Sequence, residues 1–103
     1  MINLTRDNKK YICKLDMAFE PVRGKWKPLI ISNLASGRKR FTTLLNLNLG
    51  ISHKVLNEKL KELQEDNLIS KKFFYEYPPK VEYSLTSKGY QYAKLLKQFE
   101  NIG

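Results

Sequence analysis

The strongest constraint on this chain lies between residues 52 and 85, where a capped, leucine-striped helix runs straight into two short alternating segments. Ser52 is placed to cap a helix in which Leu56, Leu60 and Leu63 recur at i, i+4 and i+7, a single apolar stripe on a polar rod. That helix is expected to end at Asp66-Asn67, because asparagine tolerates the left-handed conformation that closes a helix. Ile69 to Tyr77 and Lys80 to Leu85 follow, rich in aromatic and β-branched residues and divided by Pro78-Pro79, the pattern of a β-hairpin. In its second half Val81, Tyr83 and Leu85 alternate with Lys80, Glu82 and Ser84, so one face is buried.

The flanks are helical. Leu15, Ala18, Phe19 and Val22 at helical spacing, with Pro21 and Gly24 as stops, predict a short first helix over Leu15 to Val22. Lys25 to Ala35 predicts a second, more buried one carrying Trp26, Leu29, Ile30 and Leu34, with Pro28 tolerated in its first turn and Gly37 as its stop. Arg38 to Phe41 reads as a brief extended segment before Thr42, the expected cap of a short helix that holds Leu44, Leu45 and Leu47 and ends near Gly50. Thr86 caps a last helix, Ser87 to Phe99, striped by Tyr92, Leu95, Leu96 and Phe99. With 42% apolar residues, 103 residues can build one core and not two. The expected fold is therefore a single domain over 1–103, α+β and mainly α: a winged helix-turn-helix with a two-stranded wing and flanking dimerisation helices.

Charge points to the partner. Nineteen Lys and Arg against ten Asp and Glu give a formal charge of +9, with ten basic and three acidic residues in 1–50 and nine and seven in 51–103. An excess of that size suits a polyanion, and double-stranded DNA fits the fold plan better than an acidic membrane surface or protein. The start Met1 to Asp7 is too polar for a secretory core and no apolar run approaches the ~20 residues that span a bilayer, so a cytoplasmic protein with no membrane partner is expected. One cysteine, Cys13, and one histidine, His53, furnish neither an intrachain disulfide nor a metal site, and no cofactor is expected. Paired catalytic carboxylates, a phosphate-cradling glycine loop and a nucleophile elbow are all missing, which argues against an enzyme.

On the helix opened by Ser52, Lys54, Glu58 and Lys61 point away from the Leu56 stripe, with Asn57 beside them. Asparagine can bridge an adenine edge and lysine can reach guanine acceptors or phosphate, so this face is expected in the major groove. Pairing of Lys54 with Glu58 along a solvated helix is the alternative for the face, and Glu58 is expected as a lysine's partner in either case. His53 in the first turn is either a base or phosphate contact or simply an exposed helix-start residue. Arg38, Lys39 and Arg40 form the densest basic cluster and Lys80 lies at the hairpin turn; all four are expected on the phosphate backbone, a solvated charge run being the alternative. Phe73, Phe74, Tyr75 and Tyr77 are expected mainly in the core, stacking on single-stranded bases being the other reading. Tyr92, Leu95, Leu96 and Phe99 exceed what one small core needs and predict a dimer interface. Near Cys13, Lys9, Lys10 and Lys14 favour the thiolate, so that Cys13 is either a redox-sensing group or a small apolar residue packed at an interface.

Gly24-Lys25-Trp26, Arg40-Phe41, Gly50-Ile51-Ser52, the Leu56/Leu60/Leu63 helix, and the run from Pro78 to Thr86 with Gly89 together resemble the HxlR family of bacterial winged-helix regulators, over the chain from about Cys13 to the last helix. The resemblance implies a transcriptional regulator, MarR-like in plan, whose N- and C-terminal helices pack across a two-fold axis so that two recognition helices address a palindromic operator. It also aligns Cys13 with a cysteine that some members use to sense oxidants or electrophiles. Lys14 stands where the family usually has proline, and Asn67 where it usually has glycine. The competing function is a winged-helix protein-interaction module without sequence-specific DNA binding.

Overall fold

The computed structural model describes residues 4–6, 9–11 and 20–102. Near the N-terminus β1 (Leu4–Arg6) and β2 (Lys9–Tyr11) pair antiparallel, Leu4 opposite Tyr11. A 3-10 turn, Glu20–Val22, then leads into α1 (Trp26–Ala35). The expected helix over Leu15 to Val22 thus lies mostly outside the described residues, and its last three residues form this turn, which buries Pro21 and Val22. In α1, Ile30, Ile31 and Leu34 are wholly buried, while Pro28 occupies the first turn, where its missing N–H has no intrahelical acceptor to lose. Gly37 follows at φ 135°, a value side-chain-bearing residues avoid, and turns the chain into β3 (Lys39–Arg40).

The next helix, α2 (Phe41–Leu47), starts two residues earlier than expected. Thr42 is not its cap: Arg40 is, in extended conformation and with no side-chain bond, because Arg40 is held in β3 opposite Glu82 and the strand passes directly into the helix. A turn at Gly50 leads to α3 (His53–Glu65), whose cap is as expected, Ser52 Oγ accepting the Val55 N–H at 3.1 Å. Its C-terminus closes on Asn67 at φ 61°, with Leu68 N–H donating to Leu63 O at 2.9 Å and Asn67 N–H to Gln64 O at 3.0 Å. This double closure is one that glycine usually serves and asparagine can.

β4 (Ile69–Phe74) and β5 (Lys80–Leu85) form the hairpin, in register from Ile69 opposite Leu85 to Phe74 opposite Lys80. β3, within the brief extended segment expected before the short helix, adds to the other side of β5, so the two-stranded wing belongs to a three-stranded sheet in the order β3-β5-β4. The first strand also stops three residues short of Tyr77, since the register closes at Phe74 and leaves Tyr75 to Pro79 as the turn. Thr86 then opens α4 (Ser87–Ile102): its Oγ1 donates to Asn67 O at 2.6 Å and accepts the Gly89 N–H at 3.0 Å. Gly89 is fixed by space, because a Cβ there would collide with the Leu68 carbonyl.

The core lies between α1, α2, α3 and the inner face of the sheet, centred on Ile30, Leu34, Leu44, Leu56, Leu60 and Leu63, with Tyr92, Ala93 and Leu96 of α4 packed against it. The four aromatics of the first strand and turn, Phe73, Phe74, Tyr75 and Tyr77, do not join it, contrary to expectation. Phe74 is half-buried, Phe73 is 54% exposed, and Tyr75 and Tyr77 are 94% and 100% exposed. Of the described hairpin residues, Ile69, Tyr83 and Leu85 are buried in the core and Val81 packs half-buried against it, while the end of the hairpin continues past it.

Candidate nucleic-acid interface

α3 has two unlike faces. Leu56, Leu60 and Leu63 are sealed in the core, so a helix of 100° per residue must turn Lys54, Glu58 and Lys61 outward, with Asn57 at the flank, and all four are exposed. The pairing expected of Glu58 does not form: among the described residues neither Lys54 nor Glu58 has an ion pair. The helix is tied down elsewhere. Glu62 meets Lys27 of α1 at 2.8 Å and Lys59 at 3.5 Å. The hydrogen bond from Lys27 holds the Glu62 carboxyl below the ordinary carboxylate range against a smaller opposing effect of burial. Among the described residues the outer face carries no salt bridge, and the helix is pinned to the body of the domain by its other side.

Around that face the predicted residues fall into distinct settings. Ser52 spends its hydroxyl oxygen on the cap. The exposed His53 lies against Phe41, ring centroids 5.1 Å apart, and so joins the starts of α2 and α3. The basic cluster before α2 is split. Lys39 turns back to the C-terminus of α1, donating to Ser36 Oγ at 3.1 Å and Gly37 O at 3.4 Å. Arg38 makes an ion pair with Glu82, Nε to Oε1 3.2 Å, without the geometry of a hydrogen bond, although its side chain remains well exposed. Arg40 is exposed and has no ion pair among the described residues. Lys80 pairs with Glu76 at 3.3 Å and sits 4.9 Å from the Phe74 ring centre.

Of the predicted interface residues on α4, Tyr92 and Leu96 pack half-buried on the chain's own core, whereas Leu95 and Phe99 are 43% and 52% exposed. Leu96 and Phe99 border, with Pro28, Leu29 and Ser32 of α1, an open apolar groove of about 330 Å³. Cys13 lies outside the described residues. Among those residues no cluster of three or more potential metal ligands occurs, and no helix is long and apolar enough to cross a membrane.

Sequence reasoning missed Asn48. Buried at the end of α2, its Nδ2 donates to Asn33 Oδ1 at 2.8 Å and to Leu44 O at 2.7 Å, fastening α2 to α1, while its carbonyl accepts the Ile51 N–H at 3.1 Å and forms the turn that leads to α3. The one available signal was an amide between two leucines just before Gly50.

A short helix fastened to a core helix, a capped helix with a polar outer face, then a hairpin: this arrangement matches known proteins closely. The family model for the HxlR-like helix-turn-helix fits residues 21–103. The chain belongs to the HxlR family. It is 42% identical to MalR of Fusobacterium mortiferum over 104 residues, covering all of this chain and 97% of that protein. The solved redox regulator HypR, in its oxidized form, superposes with a TM-score of 0.82 at 30% identity, covering 88% of this chain and 94% of that one. The reduced form of the transcriptional regulator YodB of Bacillus subtilis does so with a TM-score of 0.79 at 34% identity, covering 88% and 90%. As an HxlR-family member the chain is a DNA-binding, helix-turn-helix transcriptional regulator of a non-enzymatic family. Relatives of the same fold also carry the MarR name.

Proposed function

We propose that this HxlR-family regulator forms one domain over residues 1–103 and acts in the cytoplasm as a homodimer on a palindromic operator, with the outer face of α3 in the major groove of each half-site. The observation that carries the reading is the exposed face opposite three sealed leucines, with Lys54 and Lys61 pointing away from them and Asn57 at its flank. Asn57 suits an adenine edge, Lys54 and Lys61 suit guanine acceptors or phosphate, and Ser52 and His53 at the helix start lie where the strand backbone enters the groove. Arg38, Lys39, Arg40 and Lys80 serve the phosphates, Arg40 most directly because it is exposed and has no ion pair among the described residues, and Lys39 by bracing the strand from which Arg40 projects. Leu95 and Phe99, with Tyr92 and Leu96 behind them, form the dimer contact, and two-fold symmetry sets the half-sites about 10 base pairs apart or a multiple of that.

Cys13 is the proposed redox-responsive group, supported by the neighbouring Lys9, Lys10 and Lys14 and by likeness to a protein named a redox regulator. Two Cys13 thiols, one from each protomer, would pass two electrons to peroxide, forming one disulfide and two waters. Selection of bound duplexes from a random pool tests the main reading: inverted repeats should emerge, and mild peroxide should change the affinity of the wild type but not of Cys13→Ser. Recovery of no shared sequence would favour a protein-interaction module instead.

A further inference from the structure

Glu82 puts a carboxylate where the rest of the surface is cationic. It lies on the central strand of the sheet, directly opposite Arg40 of β3 on one side and Lys72 of β4 on the other. Residues opposite one another across a ladder share a face, so the three form one row on the outer side of the sheet, away from the buried Tyr83 and Leu85. The row ends beside the helix proposed to read DNA, since Arg40 is followed by Phe41, which touches His53 at the start of α3. The Glu82 side chain is 15% exposed, and its Oε1 is buried without a hydrogen-bond donor. Stability does not account for such a group, because a buried carboxylate is favourable only when its oxygens are hydrogen-bonded.

What Glu82 acts on is Arg38. The Arg38 Nε lies 3.2 Å from Glu82 Oε1 and its guanidinium carbon 5.6 Å from the Phe74 ring centre, yet among the described residues it donates no hydrogen bond. Charge and a ring face hold the guanidinium, while its N–H donors stay unspent and its side chain is 62% exposed. A phosphate that reaches for those donors competes with the carboxylate for one guanidinium and is itself repelled by the carboxylate. A duplex held loosely by scattered cations fixes no phosphate at Arg38; a duplex seated on α3 does. We propose that Glu82 is a specificity-determining residue, which withholds Arg38 from the backbone of loosely bound DNA and yields it to the phosphate that a seated operator brings within reach. Glu82 is a positioning residue here and touches no DNA itself. The inference rests on the DNA-reading role proposed for α3.

The test compares wild type, Glu82→Gln, Arg38→Gln and the double variant on a selected operator and on a scrambled duplex of equal length, across a salt series and with unfolding curves alongside. Glu82→Gln keeps the size of the side chain and should bind the scrambled duplex about tenfold more tightly, the scale of one hydrogen bond to a charged group. On that duplex its slope of log affinity against log salt should steepen by about 0.9, the value of one added phosphate contact. On the operator, where Arg38 is already engaged, the gain should be much smaller, so that discrimination falls. Arg38→Gln should lose more affinity for the operator than for the scrambled duplex, and the double variant should match it, since Glu82 then has nothing to withhold. An unchanged salt dependence of Glu82→Gln on the scrambled duplex overturns the inference, as does an equal gain on both duplexes or an equal gain in the absence of Arg38. If Glu82→Gln does not fold, Arg38→Gln still decides, because equal losses on the two duplexes also overturn it. Any of these results alongside an operator preference that Asn57→Ala abolishes would leave the role of α3 standing. Wild type that fails to distinguish the operator from the scrambled duplex overturns both.

Discussion

α3 and α4 are built alike and finish differently. Each opens on a hydroxyl cap, Ser52 or Thr86, and each carries an apolar stripe at helical spacing. The α3 stripe disappears into the core, while on α4 Tyr92 and Leu96 are half-buried and Leu95 and Phe99 are about half exposed. Periodicity reports which side of a helix is apolar; whether the chain itself covers that side depends on what is stacked above it. α3 packs on α1, α2 and the sheet, so that among the described residues its polar face is the one left open. α4 packs on the outside of the domain and keeps apolar surface for a partner.

The sharpest way to break this contrast is to remove one side chain from each stripe. Leu56→Ala should cost about 2–5 kcal/mol of stability by denaturant unfolding, because it leaves a cavity among fully buried neighbours. Leu95→Ala should cost well under half of that per protomer, yet weaken self-association in sedimentation. Equal losses of stability would mean that α4 is as much a core helix as α3.

Asn48→Ala comes next, with an expected cost of about 1–3 kcal/mol, since Asn33 Oδ1 and the Leu44 carbonyl lose their donor in a buried place. Because Asn48 fastens the turn before α3, the variant should also lose DNA affinity beyond its loss of stability when both are measured at a temperature where it is folded. A variant as stable as wild type would show that the turn is held by other contacts.

The smallest effect is the tie between α1 and α3. Glu62 is depressed below its ordinary 4.5 by Lys27, so the tie stabilises the fold fully above that ordinary value and is lost as pH falls through the lower, folded one. With Glu62 partly exposed, the change should stay under about 1 kcal/mol and should vanish in Glu62→Gln. Unfolding curves between pH 6 and pH 3 measure it, and wild type that lost no more stability than Glu62→Gln over that range would remove the tie from the account.

The frame of the site was legible in the residues. The cap at Ser52, the leucine spacing, the closure at Asn67 and the alternation of Val81, Tyr83 and Leu85 each follow from local rules that the structure obeys. What escaped depends on distance through space. Tyr75 and Tyr77 share the aromatic character of buried strand residues, and nothing in the run says where the core stops beneath them. Lys39 belongs by sequence to a basic cluster but bends back to cap α1, a choice made by the turn at Gly37. Asn48 is buried at the end of α2 and bonded to Asn33 of α1, a contact fifteen residues away that no local spacing reports. The face of α3 was readable because one helix alone determines it; the backbone contacts were less so because three elements share them.

That face carries the central claim, and Asn57→Ala tests it most directly. Binding of wild type and variant to the selected operator and to a scrambled duplex should be compared across a salt series. The account predicts that the variant loses about 1–3 kcal/mol of discrimination between the two duplexes, with its salt dependence and its unfolding curve unchanged. Unaltered affinity and unaltered preference would contradict it, and α3 would then face the DNA by some other side or not at all.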